Sequence, residues 1–169
     1  MTLPMCGLFH KGEVIVTRFS AILAFLALLP SSAFADEHQC LSEALYFEAR
    51  DQGWRGMLAV GVVVQNRMRD SRYPSSGCGV VRQGRYWRGN PVKHLCQFSY
   101  WCDGKHERPA ERAAWTMARN LAAMLLSTRI QVEGLGNATH YHTTSVWPPW
   151  STRLRRQMQI GRHVFYVAR

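Results

Sequence analysis

The segment from Trp54 to Met68 restricts the possible folds most, because it is apolar on almost every side of a helix. One face carries apolar residues at helical spacing, and Leu58, Val62 and Val63 add apolar side chains around the rest. Such a helix must be covered on all sides. The valine run 62–64 is also compatible with a strand, but the length and the 3.6-residue spacing of the segment favour a helix. We therefore expect a central helix over 54–68.

A first helix is predicted just upstream, over 41–51, and Gly53 separates the two. Leu41, Ala44 and Leu45 follow the i, i+3, i+4 spacing of a buried stripe, and the i+7 position is Glu48. A carboxylate therefore lies where an apolar residue belongs.

The remaining segments complete the predicted fold. Residues 70–107 are rich in Gly, Pro, Ser and aromatic residues and are expected to be mostly loops. A third helix is predicted over 109–127, beginning at Pro109, and two short strands over 138–143 and 163–167. A chain of 169 residues supports one ordinary domain. We predict a mainly helical α+β domain with a small β-hairpin or sheet and disulfide-pinned loops.

Residues 1–35 have the pattern of an export signal. Arg18 precedes the apolar run 21–29, which ends at the small-x-small cleavage site Ala33-Phe34-Ala35. The run is short for a membrane span, which needs about 20 residues. We predict a signal peptide over 1–35 and a mature catalytic domain over 36–169, exported to the periplasm or cell wall, with no membrane span after cleavage.

Four cysteines remain after the signal: Cys40, Cys78, Cys96 and Cys102. An even number in an oxidising compartment predicts two disulfides, but the spacing leaves all three pairings open. A zinc site from Cys96 and Cys102 with His94 and His106 is the alternative, although its spacing matches no common zinc motif.

The formal net charge is +10, and almost all of it lies in the mature domain. Its basic residues are nearly all arginines, whose guanidinium groups suit bidentate carboxylate binding. Outside the cytoplasm the available polyanions are wall peptides and lipid head groups rather than nucleic acid. An anionic wall polymer is the expected partner. The alternative explanation of the positive charge is a dispersed, solvated basic surface that binds nothing in particular.

Glu48 is the candidate for chemistry. Cleaving a glycosidic bond requires a proton on the leaving oxygen, and a carboxylic acid supplies it near neutral pH only if its pKa is raised. Burial on an apolar stripe raises it. A buried salt bridge with Arg50 or Arg67 is an equally reasonable reading of this residue alone.

Several blocks in order along the chain resemble the SleB/CwlJ-like cell wall hydrolases. They are Cys40–Arg50, Gly56–Val60, Val63–Arg67, Cys96–Ser99, Cys102–Gly104, Ala138–Tyr141 and Ile160–Tyr166. The resemblance implies a lysozyme-like helical fold and cleavage of the bond between N-acetylmuramic acid and N-acetylglucosamine in peptidoglycan. It assigns the catalytic Glu to Glu48 and implies a lytic transglycosylase, since spore-cortex members leave an anhydromuramic end. No metal or cofactor is implied, and a monomer is expected.

A mechanism with two carboxylates would need a partner about 5–10 Å from Glu48. Asp103 is the best candidate, although a turn residue beside Gly104 is the simpler role for it. A single-Glu mechanism is therefore favoured, in which simple hydrolysis stays an alternative to transglycosylation. Sugar-binding roles are predicted for a set of polar and aromatic side chains: Gln97, Phe98, Ser99, Asp103, Thr139, His140 and Tyr141.

Two other functions fit parts of the sequence. The His140-Tyr-His142 pair is of a kind that zinc uses in peptidases and amidases, but the upstream ligand pair is missing. A wall-binding module without catalysis would also explain the charge and the aromatic residues.

Overall fold

The structure is a computed structural model that describes residues 31–168. Its helices are α1 Ser31–Ala49, α2 Gly53–Arg69, α3 Gly77–Val81 and α4 Arg112–Ser127. Its strands are β1 Gly84–Trp87, β2 Asn90–Cys96, β3 His140–Thr143, β4 Arg155–Ile160 and β5 His163–Val167. Short 3-10 turns lie at Arg50–Gln52, Ser99–Cys102 and Pro149–Thr152. The predicted α+β class is confirmed.

Helix α2 is the central element that its sequence predicts. Its valines 60 and 62–64 are almost completely buried, as are Met57 and Ala59. At Gly61 the neighbouring helices place side chains directly against α2, since a Cβ there would clash with Leu125 of α4 and crowd Leu45 of α1. The absence of a side chain at Gly61 therefore lets α1 and α4 pack tightly against α2.

The helix ends differ from the predicted ones. Helix α1 already includes Ser31, where the described residues begin, instead of starting at Leu41, and α4 starts at Arg112 instead of Pro109. The backbone N–H groups of Ala110 and Glu111 donate to the Tyr46 hydroxyl of α1, both at 3.0 Å. That side-chain acceptor holds the segment before α4 in an extended path, which delays the start of the helix.

Residues 70–107 are more ordered than predicted, because they contain α3 and a β1–β2 hairpin. The hairpin turn is Arg88-Gly89, with φ of 49° and 82°. Positive φ at both turn residues gives the twist that a two-residue hairpin requires. An arginine in the first of these positions does not signal such a turn, and this is why the loop prediction was wrong here.

The tail forms a three-stranded antiparallel sheet in the order β3-β5-β4. β3 pairs with β5 from His140↔Tyr166 to Thr143↔His163, as the two predicted tail strands allow. β4 was not predicted, because Arg155, Arg156 and Gln159 give it a polar, partly exposed edge with no alternating pattern.

The two predicted disulfides are confirmed, and they pair Cys40 with Cys78 and Cys96 with Cys102. The zinc alternative for Cys96 and Cys102 is therefore wrong, because both thiols are consumed. The predicted signal peptide lies outside the described residues except for 31–35, which begin α1. Within residues 31–168, no helix combines the length and apolarity that a membrane crossing needs.

Candidate active site

Glu48 lies in the last turn of α1, at the edge of the stripe that its spacing predicts. Leu41, Ala44 and Leu45 are buried, whereas Glu48 is only partly covered and reaches an open cleft. The helix ends one residue later, and Gly53 with φ of 64° turns the chain into α2. The position where the stripe meets the helix end thus places a carboxyl at the rim of the core.

Tyr141 fixes the orientation of this carboxyl. It projects from β3, and its hydroxyl donates a 2.9 Å hydrogen bond to Glu48 Oε2. The pKa of Tyr141 is raised well above its ordinary value by burial and by the neighbouring Glu48 charge, so the phenol keeps its proton and remains a donor. The alternation of β3 turns His142 away from Glu48, toward Trp150 and Tyr166.

The pKa of Glu48 is raised from its ordinary value of 4.5, mainly because burial disfavours the charged form. Three weaker effects oppose burial: the Tyr141 hydrogen bond, the positive charge of Arg67 and the backbone N–H of Ser99. The site therefore favours a protonated carboxyl and also retains groups that stabilise its anion.

Arg67 is buried beneath the site, with only 4% of its surface exposed. Its Nε donates to the Thr139 carbonyl at 2.8 Å, and its guanidinium carbon lies 5.3 Å from the Tyr73 ring centre and 5.6 Å from that of Phe98. Its Nη1 has no hydrogen-bond partner among the described residues. Neither Arg67 nor Arg50 forms an ion pair with Glu48. Arg50 instead pairs with Glu111, at 3.1 Å. The simple buried salt bridge considered from the sequence is therefore not formed.

The cleft at Glu48 has a volume of about 390 Å³. Its walls come from the end of α1, the turn after it and the β3–β5 side of the sheet. The lining residues are Phe47, Glu48, Arg50, Asp51, Gln52, Thr143, Thr144, Ser145, Arg162 and His163. Hydroxyl, amide and imidazole groups thus surround one carboxyl of raised pKa.

The second carboxylate of the cleft, Asp51, is neutralised by an ion pair with Arg162. Arg162 lies in the turn between β4 and β5. Gln52 also holds this turn, because its side-chain oxygen accepts from the Arg162 backbone N–H at 2.7 Å. Asp103 caps a turn instead of facing Glu48, since its Oδ1 accepts from the Lys105 backbone N–H at 2.8 Å. Its predicted sugar-binding role finds no support in this geometry.

The other predicted sugar-binding residues separate into three groups. Gln97 and Ser99 are exposed, and Ser99 adjoins Glu48 through its backbone. Phe98 is buried under Arg67, and Thr139 is buried with its carbonyl bound to Arg67, so both support the site from behind. His140 is half-buried, bonded to the Thr139 hydroxyl at 3.0 Å and packed against Trp150.

His163 is a cleft residue that the sequence prediction missed. Its ring lies 5.2 Å from that of Tyr141, and burial lowers its pKa to about 4, with a smaller effect from Arg162. The imidazole is therefore neutral above that pH. His163 belongs to the block 160–166 that carried the family resemblance, so that block marked the residue as a candidate. The strand pattern alone does not show that its side chain lines a cleft.

The second zinc proposal, based on His140 and His142, is not favoured by the positions of the rings. His142 Nδ1 lies 2.9 Å from the Thr143 carbonyl, and its Nε2 lies 2.9 Å from the Tyr166 hydroxyl. Both nitrogens thus have protein partners. Within residues 31–168, no three His, Cys, Asp or Glu side chains converge as metal ligands.

The fold is that of known wall-lytic catalytic domains. The catalytic domain of the germination-specific lytic transglycosylase SleB from Bacillus anthracis superimposes with a TM-score of 0.61 at 21% identity, covering 82% of this chain and 100% of that one. The catalytic domain of the Bacillus cereus SleB protein gives 0.58 at 21% identity, covering 82% and 94%. At this identity the likeness establishes the fold alone. No protein of curated function matches the sequence.

Residues 51–166 match the cell wall hydrolase family. The chain belongs to the cell wall hydrolase family, and the predicted family resemblance is confirmed. It is an enzyme whose substrate is the peptidoglycan of the cell wall. The matched region begins after Glu48, so the role of Glu48 is inferred from its surroundings.

Proposed function

We propose that this protein is a lytic transglycosylase that cleaves the bond between N-acetylmuramic acid and N-acetylglucosamine, with Glu48 as its only catalytic carboxyl group. Residues 1–35 act as the export signal in this proposal, and the mature monomeric enzyme works in the periplasm or wall. The observation that carries the proposal is a single carboxyl of raised pKa, held by Tyr141, in a polar cleft.

Glu48 acts twice in the reaction. Its protonated carboxyl first gives its proton to the glycosidic oxygen, and the bond from that oxygen to C1 of the muramic sugar breaks. The 6-hydroxyl oxygen of the same muramic sugar then bonds to C1. As it does so, the Glu48 carboxylate takes the proton of that hydroxyl. The products are an anhydromuramic end and a free hydroxyl on the leaving sugar, and Glu48 is protonated again.

The surroundings of Glu48 suit both steps. Burial favours the acid before the first step, whereas Tyr141, Arg67 and the Ser99 amide stabilise the carboxylate between the steps. Asp51, which shares the cleft, is tied to Arg162 and is poorly placed to activate a water. These contacts favour intramolecular attack over hydrolysis.

Replacing Tyr141 by Phe is expected to lower kcat about tenfold, since a hydrogen bond to a charged group is lost in the carboxylate state. The Tyr141 hydrogen bond lowers the pKa of Glu48, so its loss should raise that pKa. The high-pH limb of the activity profile should therefore move to higher pH. KM should change little. The matched control is Tyr166→Phe. It removes a phenol hydroxyl that lies 2.9 Å from His142 Nε2 and does not contact Glu48. An unshifted pH profile in Tyr141→Phe would contradict the positioning role.

The stability of the protein should also reflect the Glu48 carboxyl. Its folded pKa is raised, so below about 4.5 the folded and unfolded states both hold the proton and no penalty arises. As the pH rises toward the folded pKa, the unfolded chain ionises first and wild-type stability is lost. Urea unfolding should show that the free energy of unfolding of Glu48→Gln rises relative to that of the wild type as the pH increases from about 4.5 toward the folded pKa of Glu48. A difference that does not vary with pH would argue against a buried acid.

A further inference from the structure

The β1–β2 hairpin is a basic arm that the proposed chemistry does not use. Residues 82–96 contain no Asp or Glu, but they carry four permanent positive charges: Arg82, Arg85, Arg88 and Lys93. Both strands are largely exposed. A run of one charge sign on a protruding ribbon attracts anionic groups.

The hairpin also presents aromatic surface. Trp87 is 70% exposed and Tyr86 is 43% exposed. A concave surface of about 520 Å³ is formed by the tip residues Arg85, Tyr86, Trp87, Arg88, Asn90, Pro91 and Val92. This surface is shallow and open to solvent. The combination of an indole face and guanidinium groups in a concavity suits a sugar that carries carboxylates.

Hydrogen bonds and a disulfide anchor the arm at its base. Tyr86 Oη donates to the Arg82 carbonyl at 2.7 Å and accepts from Trp101 Nε1 at 3.0 Å. At the base, the Gln97 N–H donates to the Gln83 carbonyl at 2.8 Å, and the Cys96–Cys102 disulfide closes a loop that contains Ser99. Because Ser99 follows the hairpin by three residues and its amide adjoins Glu48, the base of the arm lies near the proposed catalytic carboxyl.

We propose that the hairpin is an accessory binding arm for the same peptidoglycan strand that occupies the cleft. A sugar ring packs its C–H face on Trp87, and stem-peptide carboxylates pair with Arg85 and Arg88. The inference rests on the proposed function for its ligand. The wall strand is favoured over a membrane surface because the base of the arm lies near Glu48, and because arginine matches carboxylate geometry.

Binding should be measured without turnover, by sedimenting Glu48→Gln protein with purified sacculi. Adding Trp87→Ala, or Arg85→Gln with Arg88→Gln, is expected to weaken binding roughly tenfold, the usual effect of losing an interface anchor. The matched controls are Met117→Ala and the double change Arg112→Gln with Arg119→Gln, which alter exposed apolar and exposed charged residues of α4. Unchanged thermal unfolding confirms that each variant folds. Binding equal to that of the controls would overturn the proposal.

Two further substrates separate the contributions. On chitin, an uncharged polymer of N-acetylglucosamine, the arginine effect should vanish and the Trp87 effect should persist. Vesicles of phosphatidylglycerol and phosphatidylethanolamine should bind weakly and equally to all variants. If the substitutions reduce vesicle binding and leave sacculus binding intact, the arm is a membrane contact and the proposal is wrong. Because these assays do not measure cleavage, a failed catalytic role for Glu48 is seen separately, as activity retained in Glu48→Gln.

Discussion

Glu48→Gln is expected to reduce the release of muropeptides from purified sacculi by about a thousandfold, within the range that a general acid contributes. Gln keeps the size of the side chain and an oxygen that accepts from Tyr141, but it has no proton to give and cannot become a base. Both proposed steps therefore fail together. The protein should remain folded and should still sediment with sacculi.

Two controls make this result specific to Glu48. Asp51→Asn alters the other carboxylate of the cleft and should cost far less, because Asp51 is engaged by Arg162. A chelator should leave wild-type cleavage intact, which separates a carboxyl mechanism from the zinc peptidase suggested by the His140 and His142 pair. Wild-type cleavage by Glu48→Gln, or its loss only on chelation, would reject the assignment.

Removing the Cys40–Cys78 disulfide should produce the largest loss of stability, about 4 kcal/mol in the chain-entropy account. The bond closes 38 residues and fastens α1 to α3, and Cys40 is almost completely buried. The Cys40→Ala, Cys78→Ala protein frees that loop in the unfolded state. Urea unfolding of the oxidised protein measures the difference.

The Cys96–Cys102 pair provides the matched comparison, because it spans only 6 residues. The same relation gives about 2 kcal/mol for its removal. Its loss should affect activity more than stability, since the loop holds Ser99 beside Glu48. Equal destabilisation by the two double variants would contradict the loop-length argument, and unchanged activity after loss of the shorter bridge would contradict the role of the loop.

Much of the scaffold was predictable because burial leaves a periodic pattern. Helix α2 is apolar on nearly all sides, and it is the central helix of the fold. The spacing of α1 places Glu48 on the buried stripe, and the structure puts it at the edge of the core. These inferences succeeded where one face of a regular element meets the core.

The elements that were missed have no buried face to create such a pattern. The β1–β2 hairpin is exposed on both sides, and its turn uses Arg88 in a conformation that Asn or Gly usually adopts. β4 is a polar edge strand. Disulfide pairing depends on the packing of α1 against α3, which cysteine spacing does not encode.

The sequence suggested Glu48 as the catalytic residue and Tyr141 as a sugar-binding residue, but it did not reveal the residues that surround Glu48. Arg67 was considered only as a salt-bridge partner, whereas it lies between two aromatic rings and acts on Glu48 without an ion pair. His163 and Gln52 enter the cleft because β5 and the turn after α1 converge, and no local pattern reveals that convergence.

The central claim is tested most directly by mass spectrometry of the muropeptides that the wild-type enzyme releases from purified sacculi. We expect disaccharide peptides that end in anhydromuramic acid, each lighter by one water than its hydrolysed counterpart, with stem peptides intact. Reducing muramic ends would show that water attacks instead of the 6-hydroxyl. Trimmed or released peptides with uncut glycan strands would contradict a glycosidase and the role of Glu48 with it.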